Sequence, residues 1–179
     1  FATPSAFAAR RQAAYRAFYE HMPLRQRPTA NGLRVHDSIT FGDLARISLL
    51  DGRQYRSRGA CYRAPDAGGG HLVDSVTCPE LLDPARSMLG SAQEKWLQGN
   101  LATSPARWNL VMQNVIMAEL GSHDDGKVIA WTDAWDGYPA ARERLLRQLA
   151  ETRNPVVFSG DIHSFWSNDL ALLGGPAVA

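Results

Sequence analysis

The feature that most restricts the fold is an alternation of amphipathic helices with strand-length apolar runs in the second half of the chain. A helix is predicted over residues 91–102 and another over residues 139–150. Each is followed by a short apolar run, at residues 108–116 and 155–159, and the last run predicts a buried strand. The second helix begins with Pro139 and carries Ala141, Leu145, Leu146 and Leu149 along one stripe. This alternation predicts a layered α/β fold.

The first half of the chain predicts a helix and then a hairpin. The helix covers residues 5–22, with Ser5 as its cap and an apolar face of Phe7, Ala14, Tyr15, Phe18 and Met22. Strands are predicted at residues 33–40 and 44–50, joined by a short Gly-containing link. Residues 51–88 show no periodicity and are predicted to be irregular. One domain with one long loop is the simplest organisation.

Composition excludes some classes of partner. The chain has 179 residues and a formal net charge of +1, so charge gives no reason to expect nucleic acid or an anionic membrane. No run approaches the roughly 20 apolar residues of a membrane helix, so no stable membrane insertion is expected. Cys61 and Cys78 lie in a polar stretch, where either a disulfide or two unpaired thiols is compatible with the sequence.

The segment after the last apolar run carries the most specific chemistry. Asp161 and His163 follow Gly160, two residues apart, where a strand is expected to end. Functional groups of open α/β sheets gather beyond such ends, and Gly160 lets the backbone turn sharply. A carboxylate with an imidazole suits hard or borderline metal ions, which can activate water against a phosphoryl group. The alternative is a turn capped by Asp161 and a hydrogen-bonded loop histidine.

A second acidic pair precedes the helix predicted at residues 139–150. Asp133 and Asp136 flank Trp135 close to the helix N-terminus, a location that favours anions. Either this pair contributes to the same site, or Asp136 simply caps the helix.

Together these motifs resemble the PhoD family of alkaline phosphatases and phosphodiesterases, within the calcineurin-like metallophosphoesterase superfamily. Trp-Asp-Gly-Tyr-Pro at residues 135–139 and Gly-Asp-x-His-Ser at residues 160–164 are the most specific matches. Further matching stretches span nearly the whole chain in family order and include residues 11–15, 19–25, 41–44, 54–56, 88–90 and 93–97.

The resemblance implies a layered αββα sandwich, with residues 1–179 as the C-terminal part of a single domain. It implies a binuclear site with Ca²⁺ and Fe³⁺ that hydrolyses phosphate monoesters and some diesters. Position by position, Asp161 and His163 resemble catalytic metal ligands of the family, and Asp136 resembles a third ligand, with Asp133 as its alternative. Asn168 matches a family position near the site.

One departure from the family pattern is important. The family's upstream ligands, among them an Asp-Cys pair and a Tyr, do not occur here, so this chain alone is expected to bind metal poorly and to turn over little. The missing N-terminal half of the same domain would be its partner. The resemblance also makes a disulfide between Cys61 and Cys78 plausible. It implies a secreted or periplasmic protein exported by the twin-arginine route.

Other functions are weaker hypotheses. Arg53, Arg56 and Arg58 form a basic cluster that either contacts a substrate phosphate or lies in a solvated loop. Ser159 and Ser164 lie beside His163 without the pattern of a nucleophile elbow, which argues against a serine hydrolase. The runner-up is a non-catalytic secreted binding domain on a degenerate phosphatase scaffold.

Overall fold

The computed structural model describes residues 3–25, 33–62 and 69–179, which fold as two compact units, Phe1–His36 and Asp37–Ala179. In chain order the elements are α1 (Pro4–His21), β1 (Asp37–Phe41), β2 (Ala45–Leu49), β3 (Leu72–Asp74), α2 (Gly90–Ala102), β4 (Trp108–Met112), β5 (Ser122–Asp124), β6 (Lys127–Trp131), α3 (Pro139–Ala150) and β7 (Pro155–Phe158). The assignment of residues 1–179 to part of a single domain stays a prediction.

The first unit contains the predicted N-terminal helix with a different cap. Thr3, not Ser5, is the N-cap, and its hydroxyl accepts a hydrogen bond from the Ala6 amide. Pro4 at the first helical position leaves Thr3 as the last residue with extended backbone, which explains the shift. No residue of α1 is buried, so its predicted apolar face is not a core face.

The second unit is organised around a four-stranded sheet of order β1-β2-β4-β7. β1 and β2 form the predicted antiparallel hairpin, although β1 begins at Asp37, four residues later than expected. β2 pairs parallel with β4, and β4 pairs parallel with β7. β7 is half-buried and not fully buried as predicted, because in the described part of the chain it is an edge strand. The parallel strands bring the ends of β2, β4 and β7 to one edge.

The irregular stretch and the segment after β4 contain a second sheet that the sequence did not predict. Its order is β3-β6-β5, with antiparallel pairing throughout. Residues 51–88 also include a short 3₁₀ helix at Pro79–Leu82, whereas residues 63–68 of that stretch lie outside the described residues. The strands β3 and β5 have three residues each, too few for a periodicity signal.

Both predicted helices of the second unit bury one face. α3 buries Ala141, Leu145, Leu146 and Leu149, as its stripe predicts. α2 buries Leu97 and Leu101 together with Gln93, while Trp96 is only partly buried against the same core. A smaller apolar cluster of Ala60, Cys78, Leu81 and Ala130 underlies the second sheet.

Cys61 and Cys78 are joined by a disulfide, which confirms the expected bond. The bridge ties the loop after β2 to the turn that follows β3, and Cys78 is buried in the smaller cluster. Among the described residues, no helix has the length and apolar character needed to cross a bilayer.

Candidate functional site

Three strand ends converge at the edge where the parallel strands finish. The Asn114 side-chain oxygen, beyond β4, accepts a hydrogen bond of 2.8 Å from the Gly52 amide, beyond β2. Gln113 donates to the Ser159 hydroxyl, beyond β7, and accepts a bond of 3.0 Å from the Trp135 indole. These side chains lock the loops after β2, β4 and β7 together, which is the arrangement expected for a site at the carboxyl edge of a sheet.

The loop after β7 holds Asp161 and His163 in unusual backbone conformations. Their φ angles are 71° and 59°, in the left-handed region that L-residues seldom occupy. Between them, Ile162 packs against the main core, whereas both flanking side chains are exposed. Strained residues of this kind concentrate at functional sites. The structure thus presents both predicted residues to solvent, anchored by one partly buried side chain.

Gly160 has a different role from the predicted one. The sharp turn is made by Asp161 and His163, and the φ of Gly160 is not positive. A Cβ atom at Gly160 would lie 3.2 Å from the Asn114 carbonyl oxygen, tighter than an ordinary contact. Glycine therefore favours the close approach of the β4 and β7 ends, since a side chain would require the Asn114 carbonyl to shift by a few tenths of an ångström.

Arg53 connects two of the candidate carboxylates. Its guanidinium donates to both carboxylate oxygens of Asp133, at 2.8 and 2.9 Å, and lies 3.5 Å from an oxygen of Asp161. Arg56 makes a second ion pair with Asp133, at 2.7 Å. The structure therefore brings Asp133 and Asp161 to the two sides of one guanidinium group.

The pKa of Asp133 reflects this pairing. Partial burial of the carboxylate acts to raise its pKa, but hydrogen bonds and charge from Arg53 and Arg56 outweigh burial and hold the pKa below its ordinary value. Asp133 is consequently ionised at neutral pH.

Asp51 fixes the backbone that carries Arg53. Its buried carboxylate accepts hydrogen bonds from the amides of Arg53 and Gln54, both 3.0 Å long. Gln93 of α2 in turn binds the backbone of Asp51, accepting from its amide at 2.8 Å and donating to its carbonyl at 2.9 Å. The backbone that carries the Arg53 side chain is therefore held in place at the end of β2.

Asp136 has a different environment from Asp133. It is only 7% exposed, and one carboxylate oxygen accepts from the amides of Leu120 and Gly121 at 3.0 and 2.8 Å. No side chain caps α3, so Asp136 does not serve as the helix cap that the sequence allowed. Burial raises its pKa, and these two hydrogen bonds only partly offset that effect. Its other oxygen is buried without a hydrogen-bond partner among the described residues.

A cavity of about 690 Å³ lies beside Asp136. Asn168, five residues after His163, also lines it, together with Glu119, His123 and Arg142. The segment that begins with Asp161 and His163 thus extends from Arg53 to the cavity that contains Asp136. Asp133 lines a separate cavity, so the two acids of the pair face different spaces.

The donor atoms suit a metal ion in part. Carboxylate oxygens and an imidazole nitrogen are acceptable ligands for hard and borderline cations, and one Asp136 oxygen has no hydrogen-bond partner among the described residues and could bind a cation. Within residues 3–25, 33–62 and 69–179, no three His, Cys, Asp or Glu side chains are grouped so as to hold an ion. These residues therefore fit as part of a ligand set.

The main polar contacts of this edge were not predicted from the sequence. A solvated loop was an alternative for Arg53, and no role was predicted for Asp51, Gln93 or Gln113. The Asp51-x-Arg53 spacing directly after an apolar run was the available signal, because a carboxylate commonly accepts from amides two and three residues later. Of the other histidines, His123 is exposed and paired with Glu119 at 2.6 Å.

Comparison with known proteins gives a consistent result. Residues 1–176 match the sequence profile of the PhoD-like phosphatase family. The chain is similar to alkaline phosphatase D of Bacillus subtilis (strain 168), with 39% identity over 169 residues, which is 92% of this chain and 27% of that protein. It also superimposes on a solved structure titled "Structure of PhoD" with a TM-score of 0.79 and 36% identity, covering 94% of this chain and 31% of that one. The chain thus spans about three tenths of the length of these relatives.

Proposed function

Because this chain belongs to the PhoD-like phosphatase family, we propose that the protein hydrolyses phosphate esters at the carboxyl edge of its parallel strands. Water attacks phosphorus, the ester P–O bond breaks, and the alcohol leaves with a proton. Monoesters are the proposed principal substrates, and diesters are a further class. The observation that carries the proposal is the joint contact of Arg53 with Asp133 and Asp161, beside His163.

Asp161, His163 and Asp136 are the proposed metal ligands of this chain. Asp161 and His163 are exposed on a strained loop, and Asp136 has a buried oxygen without a partner in the described residues. Asp133 is the alternative third ligand, because it shares Arg53 with Asp161. Ca²⁺ and Fe³⁺ are the proposed ions, and they would supply positive charge that lowers the pKa of water and stabilises the phosphoryl oxygens.

The chain's own side chains have distinct tasks in this proposal. The Arg53 guanidinium can donate to two phosphate oxygens at once through separate nitrogens, whereas Nη1 alone now donates to both oxygens of Asp133. Asp51 and Gln93 keep its backbone in place, so less ordering is needed when substrate binds. The exposed imidazole of His163 and carboxylate of Asp161 lie on the substrate side of the loop, because Ile162 occupies the core side.

The first test is hydrolysis of p-nitrophenyl phosphate by the full-length gene product and its His163→Ala variant. Loss of a ligand should lower kcat/KM by at least tenfold and reduce the bound metal measured by mass spectrometry. His21→Ala is the matched control, since that histidine is also exposed but lies in the last turn of α1. Equal activity and metal content in wild type and His163→Ala would contradict the role of His163.

A second test separates the two acids. Asp133→Asn and Asp136→Asn preserve side-chain volume while removing charge. Asp136→Asn should lose bound metal, because Asp136 is the proposed third ligand. Asp133→Asn should retain metal after the same chelation and reloading. If Asp136→Asn keeps its full metal content and Asp133→Asn loses metal, then Asp133 is the third ligand.

The remaining ligands are proposed to come from a part of the protein outside residues 1–179. This proposal is supported by the absence of a complete ligand group in the described residues and by the greater length of the relatives. Residues 1–179 produced alone should therefore show little metal-dependent hydrolysis. Turnover equal to that of the full-length gene product would contradict this expectation.

The protein is also proposed to act outside the cytoplasm, either secreted or periplasmic, after export by the twin-arginine route. The Cys61–Cys78 bond supports this location, since disulfides persist in oxidising compartments. Cell fractionation with detection of the oxidised protein would check it, and recovery of the reduced protein in the cytosol alone would contradict it.

A further inference from the structure

A basic cavity adjoins the proposed hydrolytic site. It has a volume of about 530 Å³ and is lined by Arg53, Arg56, Arg58, His71 and Asp133, among others. We name this cavity the arginine pocket. Resting on the proposed function, we infer that the arginine pocket binds a second phosphate group of the substrate, beside the phosphate that is hydrolysed.

The charge of the arginine pocket favours an anion. Among the described lining residues, three guanidinium groups face one carboxylate, Asp133, so the charges of these residues leave an excess of positive charge. Arg53 and Arg56 share Asp133 between them. Guanidinium groups grip phosphate oxygens in pairs, which makes phosphate the anion that this lining suits best.

Arg58 is the cation most available to a ligand. In the described part of the chain, no carboxylate forms an ion pair with it. Its guanidinium carbon lies 3.8 Å from the centre of the Tyr62 ring, which holds the planar group by cation–π attraction and does not use its N–H edges. A phosphate entering the pocket would satisfy those donors.

The walls of the arginine pocket are formed before any ligand binds. Ser57 exchanges two hydrogen bonds with Ser87, of 2.8 and 2.9 Å, and its carbonyl accepts a bond of 2.6 Å from the buried Tyr138 hydroxyl. Across the pocket, the backbone amide of Thr132 donates to the His71 carbonyl at 3.0 Å. A cationic lining held in this way loses little entropy when an anion binds.

Arg53 makes the arginine pocket continuous with the hydrolytic site. It lines the cavity and also lies 3.5 Å from Asp161. The pocket volume is within the range of small-molecule sites, so it has room for a phosphate and part of the chain that carries it. Two phosphates separated by a short linker can therefore occupy the two places at once.

The test compares propyl phosphate with propane-1,3-diol bisphosphate as substrates of the full-length gene product. The wild type should prefer the bisphosphate in kcat/KM, and Arg58→Gln should reduce that preference at least tenfold. Arg58→Lys should give a smaller reduction, since it keeps the charge but loses the flat fork. Arg153→Gln, an equal loss of charge at an exposed position before β7, should leave the preference unchanged.

Calorimetric titration with propane-1,3-diol bisphosphate provides a readout that does not need turnover. Weaker binding in Arg58→Gln than in Arg153→Gln supports the arginine pocket even if neither substrate is hydrolysed, an outcome that would defeat only the proposed function. A preference and an affinity that are the same in Arg58→Gln and wild type would overturn the inference. An equal loss for both substrates would overturn it as well.

Discussion

The guanidinium of Arg53 holds Asp133 at 2.8 and 2.9 Å while lying 3.5 Å from Asp161. These residues come from three separate loops, after β2, β6 and β7. One side chain therefore contacts residues of two other loops and links all three. An exposed ion pair of this kind contributes little to the free energy of unfolding. We therefore expect Arg53 to matter mainly by positioning the loops and by attracting an anion.

Replacing Arg53 should affect catalysis more than folding. Arg53→Ala should lower kcat/KM for p-nitrophenyl phosphate by roughly 100-fold, as expected when a positioned donor to a developing anion is lost. Arg53→Lys should retain part of the rate, because it keeps the charge without the paired donors. Steady-state kinetics on the full-length gene product, with Arg153→Ala as control, measures this effect. Wild-type kinetics in Arg53→Ala would exclude a role in the site.

Removing the Tyr138 hydroxyl should destabilise the second unit. Tyr138 is fully buried, and its hydroxyl donates to the Ser57 carbonyl at 2.6 Å. Tyr138→Phe leaves that carbonyl without its donor, so the free energy of unfolding should fall by about 1–3 kcal/mol. Denaturant titration measures the change, and Tyr62→Phe, which keeps the ring under Arg58, should change it little. Equal midpoints for Tyr138→Phe and wild type would contradict the expectation.

Breaking the disulfide should lower stability by about 3 kcal/mol, the value expected for a closed loop of this length. The two cysteines are 17 residues apart, and Cys78 is buried beside Leu81 and Ala130. Chemical denaturation of Cys61→Ser with Cys78→Ser, compared with wild type in oxidising buffer, measures the loss. Adding reductant should shift only the wild type. An unfolding midpoint that is insensitive to reductant in both proteins would argue against a stabilising bond.

The pKa of Asp74 should rise when Thr77 is changed. The Thr77 hydroxyl and amide donate to this carboxylate at 2.6 and 2.9 Å, and they are the main causes of its lowered pKa. Because the folded pKa lies below the unfolded value, the associated stability is present above the unfolded pKa and is lost as pH falls through the folded pKa. Thr77→Ala should move the carboxyl titration measured by NMR toward its ordinary value, whereas Thr103→Ala should not. An unshifted titration in Thr77→Ala would show that the hydroxyl bond does not control the pKa.

Sequence patterns predicted α3 well because this helix buries a continuous apolar stripe. α3 has the predicted limits, and the hairpin of β1 and β2 is present. The second sheet escaped prediction, since β3 and β5 are too short to show a period and are stabilised by pairing with β6. Tertiary pairing, and not local propensity, forms these strands.

The sequence predicted which residues belong to the candidate site, but only part of their arrangement in space. The Asp161 and His163 motif was located from the sequence, as was the acidic pair around Trp135. The separation of Asp133 from Asp136 was not foreseeable, because it depends on distant groups: Arg53 and Arg56 for one, and the amides of Leu120 and Gly121 for the other. Sequence spacing gives no information on which of two nearby acids meets a remote partner.

The parallel pairing of β2, β4 and β7 has a consequence for the timing of assembly during synthesis. More than a hundred residues separate Arg53 from Asp161, so their meeting is a non-local event of the kind that slows folding. While a ribosome is still translating β4, the hairpin of β1 and β2 can form. The edge proposed to bind phosphate is then incomplete, because β7 has not been made. The nascent chain gains that edge only after His163 has left the exit tunnel.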